Sequence, residues 1–401
     1  MSRWKKKLPF RELTIPVKMA KGWLANRAKS VTPFRELEIE HGSLKLVDGI
    51  PLVHVRGTPR EMGRALGNLV GLQAVETFHS YMQIFAPDFH GDLAHAREME
   101  KRMPDWFIEE MRGFSESSEL TYDEMLVGQT FLDIHKVAAC STIAAHDNLT
   151  PDGEMLMGRN LDFPSLSIAH EANIVVVYQP NDGPAYASVT WPGLLGALTG
   201  VNTHGLALSM MLVYGHQSDE HLDGQPFPLV FRRLLQECAS VRQADSLLQT
   251  KPHCTATNLI LADATRTAAR FQLPPNDVVV EYTSKDHPAT ACTNHYHERR
   301  IKRFAFTWFS SAVRYGKLRK RIATGKQIDV QDIKDMLQAT GIPSINLQRV
   351  IMRPEKLGIE VSFDNNGTGP GRWIELPREL LFPGVAAAAE NTLPAEAGVA
   401  N

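Results

Sequence analysis

From Asn173 to Thr283 the chain repeats one texture, and that texture limits the folds open to it. Short stretches rich in β-branched and aromatic residues recur at 173–179, 186–191, 205–213, 257–262, 268–273 and 278–283. Such stretches favour pleated, half-buried backbone. Turn-forming links such as Pro180-Asn181-Asp182-Gly183-Pro184 join several of them and predict antiparallel pairing. Helical segments come in blocks around these strands, at 228–237, 241–248, 298–322 and 330–338, with late strands near Val350 and at 359–363. Strands in blocks and helices in blocks predict a layered α+β domain.

The first third of the chain reads differently. A strand or two over 44–55 leads into Thr58-Pro59-Arg60-Glu61, a capping box with proline at the first helical position. The helix it opens carries Gly63, Gly67 and Gly71 four apart, a smooth stripe suited to close packing. A second box, Thr121-Tyr122-Asp123-Glu124, starts a helix that runs towards His135. No Pro/Gly/Ser linker divides the 401 residues, which predicts a single domain over 34–380, a basic arm over 1–33 and a disordered tail over 381–401.

Cys140 follows that second helix. It sits in a short apolar strand, Cys140-Ser141-Thr142-Ile143-Ala144, and a turn-rich stretch from Asn148 to Gly153 follows. Residues 155–158 then return as a second strand and carry Arg159 and Asp162 back alongside the cysteine. A guanidinium beside a thiol favours the thiolate, the nucleophilic form. The other cysteines, Cys238, Cys254 and Cys292, are not closely paired and suggest neither a disulfide framework nor a zinc site. A reducing, cytoplasmic setting fits, and no metal or organic cofactor is implied.

At these residues the chain resembles the cysteine branch of the N-terminal nucleophile hydrolases, the group of isopenicillin N acyltransferase, choloylglycine hydrolase and penicillin V acylase. Cys140 followed by Gly158-Arg159-Asn160-Leu161-Asp162 carries most of the resemblance. The stretches 200–206, 257–263 and Thr293-Asn294-His295-Tyr296 follow in the same order. The resemblance implies a four-layer αββα sandwich of two antiparallel sheets between helical layers. It also implies autocatalytic cleavage between Ala139 and Cys140, dividing the domain into a 34–139 segment and a 140–380 segment. Catalytic residues implied are Cys140 as nucleophile, Arg159 beside it, Asp162 holding the new α-amine and Asn294 as oxyanion donor. The activity implied is hydrolysis or acyl transfer at non-peptide amide C–N bonds through a Cys140 thioester, with a small-molecule amide or acyl thioester as substrate.

The chain also departs from its relatives. Leu212 stands where some have a second oxyanion asparagine, leaving a backbone N–H to serve there. Gln272 replaces an acidic residue, and Ser141-Thr142 reverses the usual order. Arg349 is only a tentative counterpart of a second family arginine. Asn202 is explained by its turn, and His295 and His297, lacking acidic or thiol neighbours, read as structural or pocket-lining. Nine basic residues between Arg299 and Arg321, Arg314 among them, read as a solvated helix face, with receipt of an anionic substrate such as an acyl-CoA as the other reading.

Net charge is −2, which gives no reason to expect nucleic acid. Residues 1–30 nevertheless hold nine basic residues against Glu12, a local +8 interleaved with Trp4, Phe10, Val17, Trp23 and Leu24. Such a segment either lies on an anionic membrane surface or wraps the protein as a solvated arm. Two other readings of the whole chain stand beside the enzyme: an uncleaved homologue of the same fold without turnover, and a peripheral membrane binder. Oligomeric state is not legible.

Overall fold

Two threonines set the helical first third. Thr58 and Thr121 each accept a hydrogen bond from the backbone three residues on, while Glu61 and Glu124 return the favour to the cap nitrogens. The computed structural model describes residues 15–215, 220–250, 254–302, 305, 309–363 and 371–385. In chain order it runs α1 (Ile15–Asn26), β1 (Leu37–Ile39), β2 (Gly42–Val47), β3 (Ile50–Gly57), α2 (Pro59–Phe85), α3 (Phe89–Glu100), α4 (Asp105–Ser117) and α5 (Tyr122–His135). Then come β4 (Ala139–Ala145), β5 (Leu156–Asp162), β6 (Ile174–Pro180), β7 (Tyr186–Thr190), β8 (Thr199–Asn202), β9 (Ala207–Leu212), α6 (Phe227–Glu237) and α7 (Val241–Gln249). The remainder is β10 (Thr257–Ala262), β11 (Ala268–Leu273), β12 (Val279–Tyr282), β13 (Ala289–Cys292), α8 (Phe309–Ile322), α9 (Val330–Thr340), β14 (Asn346–Arg353), β15 (Gly358–Phe363), β16 (Ile374–Leu376) and α10 (Arg378–Leu381).

Ten strands form one sheet in the order β1-β2-β3-β6-β7-β8-β9-β10-β11-β12, and six form another, β13-β4-β5-β14-β15-β16. The two pack face to face through β4 and β9, with Thr142 Oγ1 2.6 Å from Ser209 Oγ across the gap. Helices α2 and α6 cover the outside of the larger sheet, and α8 and α9 cover the smaller. The result is the layered α+β sandwich anticipated. Antiparallel pairing holds with one exception: β3 and β6 run parallel, because the whole helical block α2–α5 and the β4–β5 hairpin intervene between them. A crossover that long permits parallel pairing where a tight turn does not.

The glycine stripe packs as its spacing predicts. A Cβ at Gly63 would lie 2.0 Å from Glu110 O, and one at Gly113 would lie 2.2 Å from Arg60 O, so α2 and α4 cross backbone to backbone. The two helices thereby hold Glu110 inside the protein. There it meets Arg232 of α6 in an ion pair fully hidden from water (Nη1–Oε1 2.9 Å, Nη2–Oε2 2.5 Å). The Arg232 guanidinium also lies over Tyr178 and Trp106, 4.6 and 5.0 Å from the ring centres.

Two boundaries differ from the sequence reading. Leu381 and Phe382, assigned to a disordered tail, are buried in the core, and His54 Nε2 contacts the Leu380 carbonyl at 3.0 Å. Residues 386–401, the rest of that tail, lie outside the described residues, as do residues 1–14 of the basic arm. The helix expected over 298–322 is described from Phe309, and residues 298–302 form turns held by Gln272 Oε1, which accepts from His297 N and Glu298 N.

Candidate active site

The β4–β5 hairpin builds the site by register. Cys140 pairs with Leu161, Thr142 with Arg159 and Ala139 with Asp162. Side chains alternate faces along a strand, so Arg159 and Asp162, three apart, point to opposite sides of the smaller sheet. Arg159 turns into the gap between sheets beside Cys140. Its Nη2 donates to the sulfur at 3.5 Å, and its Nη1 donates to the Leu198 carbonyl at 2.5 Å and to Thr199 Oγ1. Asp162 turns the other way, towards the layer of α8 and α9. Its Oδ1 accepts from Ile342 N at 2.9 Å and Asn346 Nδ2 at 2.7 Å. Its Oδ2 makes no hydrogen bond among the described residues and lies 3.9 Å from Arg314 Nη1.

Asn294 follows β13, the strand that pairs with β4, and so reaches the backbone of Cys140 from the edge. Cys140 N donates to its Oδ1 at 2.8 Å, and Arg314 Nη2 donates to the same atom at 2.8 Å. Two donors fix that atom as the oxygen, so Nδ2 faces the Leu212 carbonyl, to which it donates at 2.7 Å. One of the two Nδ2 hydrogens is thereby committed to Leu212 O. Leu212 meets Asn294 through its carbonyl.

In the continuous chain the surroundings of the sulfur work against the thiolate. Cys140 has no exposed surface, and burial pushes its thiol up by more than Arg159 pulls it down; Asp162 adds a further upward push. Burial likewise raises the Asp162 carboxyl against the pull of Arg314, and lowers Arg159. An uncharged thiol needs a base, and in the continuous chain the Cys140 nitrogen is an amide that cannot act as one.

Arg314 is the residue that sequence reading missed. Counted among the solvated cations of α8, it is buried and aimed inward: Nη1 donates to Cys140 O at 2.5 Å while Nη2 holds Asn294. One guanidinium thus ties the nucleophile's own carbonyl to Asn294 and Asp162. The signal was helical spacing, since Ser311, Arg314 and Leu318 are all buried on one face of α8. Arg314→Met should slow turnover by about 10², the scale for losing one preorganised donor. Arg314→Lys, which keeps charge but not the fork, should fall between. Steady-state rates of the two variants check this, and equal loss in both would deny the fork its part.

His295 Nδ1 lies 2.8 Å from Ser311 Oγ, which accepts from Asn294 N at 2.9 Å, and the His297 ring packs on Tyr315. Burial lowers His295 to about 4, so it stays neutral at ordinary pH. Asn202 closes its turn by accepting from His204 N and Leu206 N. Arg349 pairs with Asn160 in the β14–β5 ladder and is buried close enough to Asp162 to lower its carboxyl.

Phe163, next to Asp162 in the chain, is among the residues lining an apolar groove of about 680 Å³, counted to its open mouth. Phe78, Tyr81 and Met82 of α2, Phe131 and Leu132 of α5, and Trp191 line the rest. No group of residues able to hold a metal ion is found among the described residues.

A family described as acyl-coenzyme A:6-aminopenicillanic acid acyl-transferase matches residues 149–337, a span that holds Arg159, Asp162, Asn294 and Arg314 and begins after Cys140. An uncharacterized protein of Archaeoglobus fulgidus is 25% identical over 237 residues, 51% of this chain and 40% of its own length. Protein dcd1B of Dictyostelium discoideum is 27% identical over 239 residues, 52% of this chain and 47% of its own. N-acylethanolamine-hydrolyzing acid amidase of Oryctolagus cuniculus is 30% identical over 115 residues, 28% of this chain and 30% of its own. The chain thus spans less than half the length of these relatives. Among solved structures, a variant of conjugated bile acid hydrolase from Clostridium perfringens superimposes with a TM-score of 0.45 at 12% identity, over 60% of this chain and 93% of that one. The Caenorhabditis elegans N-acylethanolamine-hydrolyzing acid amidase ortholog gives 0.41 at 18%, over 54% and 93%. The chain resembles the N-terminal nucleophile hydrolases, and over residues 149–337 it is similar to the acyl-coenzyme A:6-aminopenicillanic acid acyl-transferase family among them.

Proposed function

We propose that this chain is an autoprocessed cysteine amidohydrolase or acyltransferase that acts on non-peptide amide C–N bonds. The observation that carries the reading is the set of polar contacts on Cys140's own main chain. Asn294 Oδ1 holds its nitrogen and Arg314 its carbonyl, with Arg159 at the sulfur. A packing cysteine has no use for side chains fixed on its backbone; a residue whose own nitrogen must become the base does.

In maturation the Cys140 sulfur attacks the Ala139 carbonyl carbon, and the Ala139–Cys140 C–N bond breaks as the nitrogen takes up a proton. Water then hydrolyses the resulting thioester to leave an Ala139 carboxylate and a free α-amine. An α-amine has a pKa of roughly 8, close to working pH. In turnover that amine takes the thiol proton as sulfur attacks the substrate carbonyl, then gives it to the departing amine. Asp162 Oδ2, the carboxylate oxygen with no hydrogen bond, is the group that would steady the ammonium form. Asn294 Nδ2 carries a second hydrogen besides the one given to Leu212 O, and that hydrogen is the donor proposed for the oxyanion. The apolar groove that Phe163 helps to line suits an apolar acyl part of the substrate. Water or a second amine resolves the Cys140 thioester, giving hydrolysis or transfer.

Intact-mass measurement tests this. The expected result is two fragments of 139 and 262 residues, with acyl adducts on the larger one after brief exposure to amide or thioester substrates. A single uncut chain that turns over amides would end the amine-base mechanism. An uncut chain that neither turns over nor acylates would leave the same-fold protein without turnover.

A further inference from the structure

Helix α1 turns one face to the protein and leaves the other uncovered. Gly22 is buried against Leu166, where a Cβ would lie 2.5 Å from Cδ2, and Lys18 Nζ donates to the Phe85 carbonyl at 3.3 Å. On the outward face Val17, Trp23 and Leu24 are 55, 50 and 56% exposed. Val17 and Leu24 are seven apart, two helical turns, so they lie on one stripe. A single exposed apolar side chain needs no explanation, but three on a twelve-residue helix do. That helix has no acidic residue; Lys21 lies within it and Arg27 and Lys29 follow directly after it in the chain. The Arg27 guanidinium lies over the Trp23 ring, 5.9 Å from its centre.

We propose that α1 docks this protein on an anionic lipid surface, with Val17, Trp23 and Leu24 at headgroup depth and the cations among the lipid phosphates. Charge separation favours that occupant. Residues 1–30 sum to +8 while the rest of the chain sums to −10, so the cations of α1 do not belong to a generally basic surface. Wrapping the body does not account for the stripe, because α1 already meets the body with its opposite face. A protein partner is disfavoured by area: stable interfaces bury about 1,200 Å² or more, several times what three side chains offer. Lipid binding has no such threshold, since each side chain adds its own increment. No helix among the described residues is long and apolar enough to cross a membrane, so the contact is with the surface.

Co-sedimentation of the full chain with phosphatidylcholine vesicles, with and without phosphatidylserine, tests this. Binding should require phosphatidylserine and weaken with salt. Lys21→Ala with Lys29→Ala should weaken it about 25-fold, taking about fivefold per cation. Trp23→Ala with Leu24→Ala should weaken it without changing the vesicle-free elution volume. Equal binding to both vesicles, or no change in either double variant, overturns the proposal. A vesicle-free elution shift in the Trp23/Leu24 variant also overturns it, in favour of self-association.

Discussion

Cys140→Ala should leave a single chain of 401 residues and lower amide turnover by on the order of 10⁵–10⁶, the scale seen when a hydrolase loses its nucleophile. Folding should survive, because the alanine keeps the ladder pairing with Leu161 and the Asn294 bond to the main-chain nitrogen. Cys140→Ser separates the two reactions that the sulfur would perform. A hydroxyl fits the same space but is a far weaker nucleophile. Slow cleavage with negligible turnover is the expected outcome, measured by intact mass over days and by substrate assay. Undiminished turnover in either variant would remove Cys140 from the chemistry.

Arg232→Met should cost about 3–5 kcal/mol, because it strands the Glu110 carboxylate in a site without water. Replacing both partners, Glu110→Leu with Arg232→Met, should recover most of that loss, since the charge goes with its partner. Urea midpoints of the single and double variants give the comparison, and a cost under about 1 kcal/mol for the single variant would mean that water reaches Glu110 after all. The pair has added weight in a cleaved protein. Glu110 lies before Ala139 and Arg232 after it, so the bond would join the two fragments. The smaller fragment, still held by the β3–β6 ladder, should then come away from the larger one at a lower urea concentration in the single variant.

Much of this arrangement was legible because it is local. The Thr58 and Thr121 boxes formed as written, and strands at 257–262 and 268–273 have the boundaries their composition suggested. Cys140, Arg159 and Asp162 could be brought together from a turn-rich stretch between two short apolar runs. What resisted reading depends on contacts distant in sequence. β8 is four residues long and contains Gly200, whose missing Cβ lets the Ala187 carbonyl approach, so it reads as part of a turn. Helices α3 and α4 bring mixed polar sequence with no cap box, and their partners are other helices. Arg314 was hidden by its neighbours, an inward cation among described neighbours that face outward. The orientation of the Asn294 amide cannot be read from any motif, because it is set by which donors surround it.

The register at the hairpin has one more consequence. Ala139 and Cys140 both belong to β4, so the bond proposed to break lies inside a paired ladder and not in a slack loop. An end created there would start its life already tethered on both flanks, by β5 on one side and β13 on the other from Thr142 onward. Such a terminus has almost no freedom to fray, and a base that cannot wander stays aimed at its own sulfur.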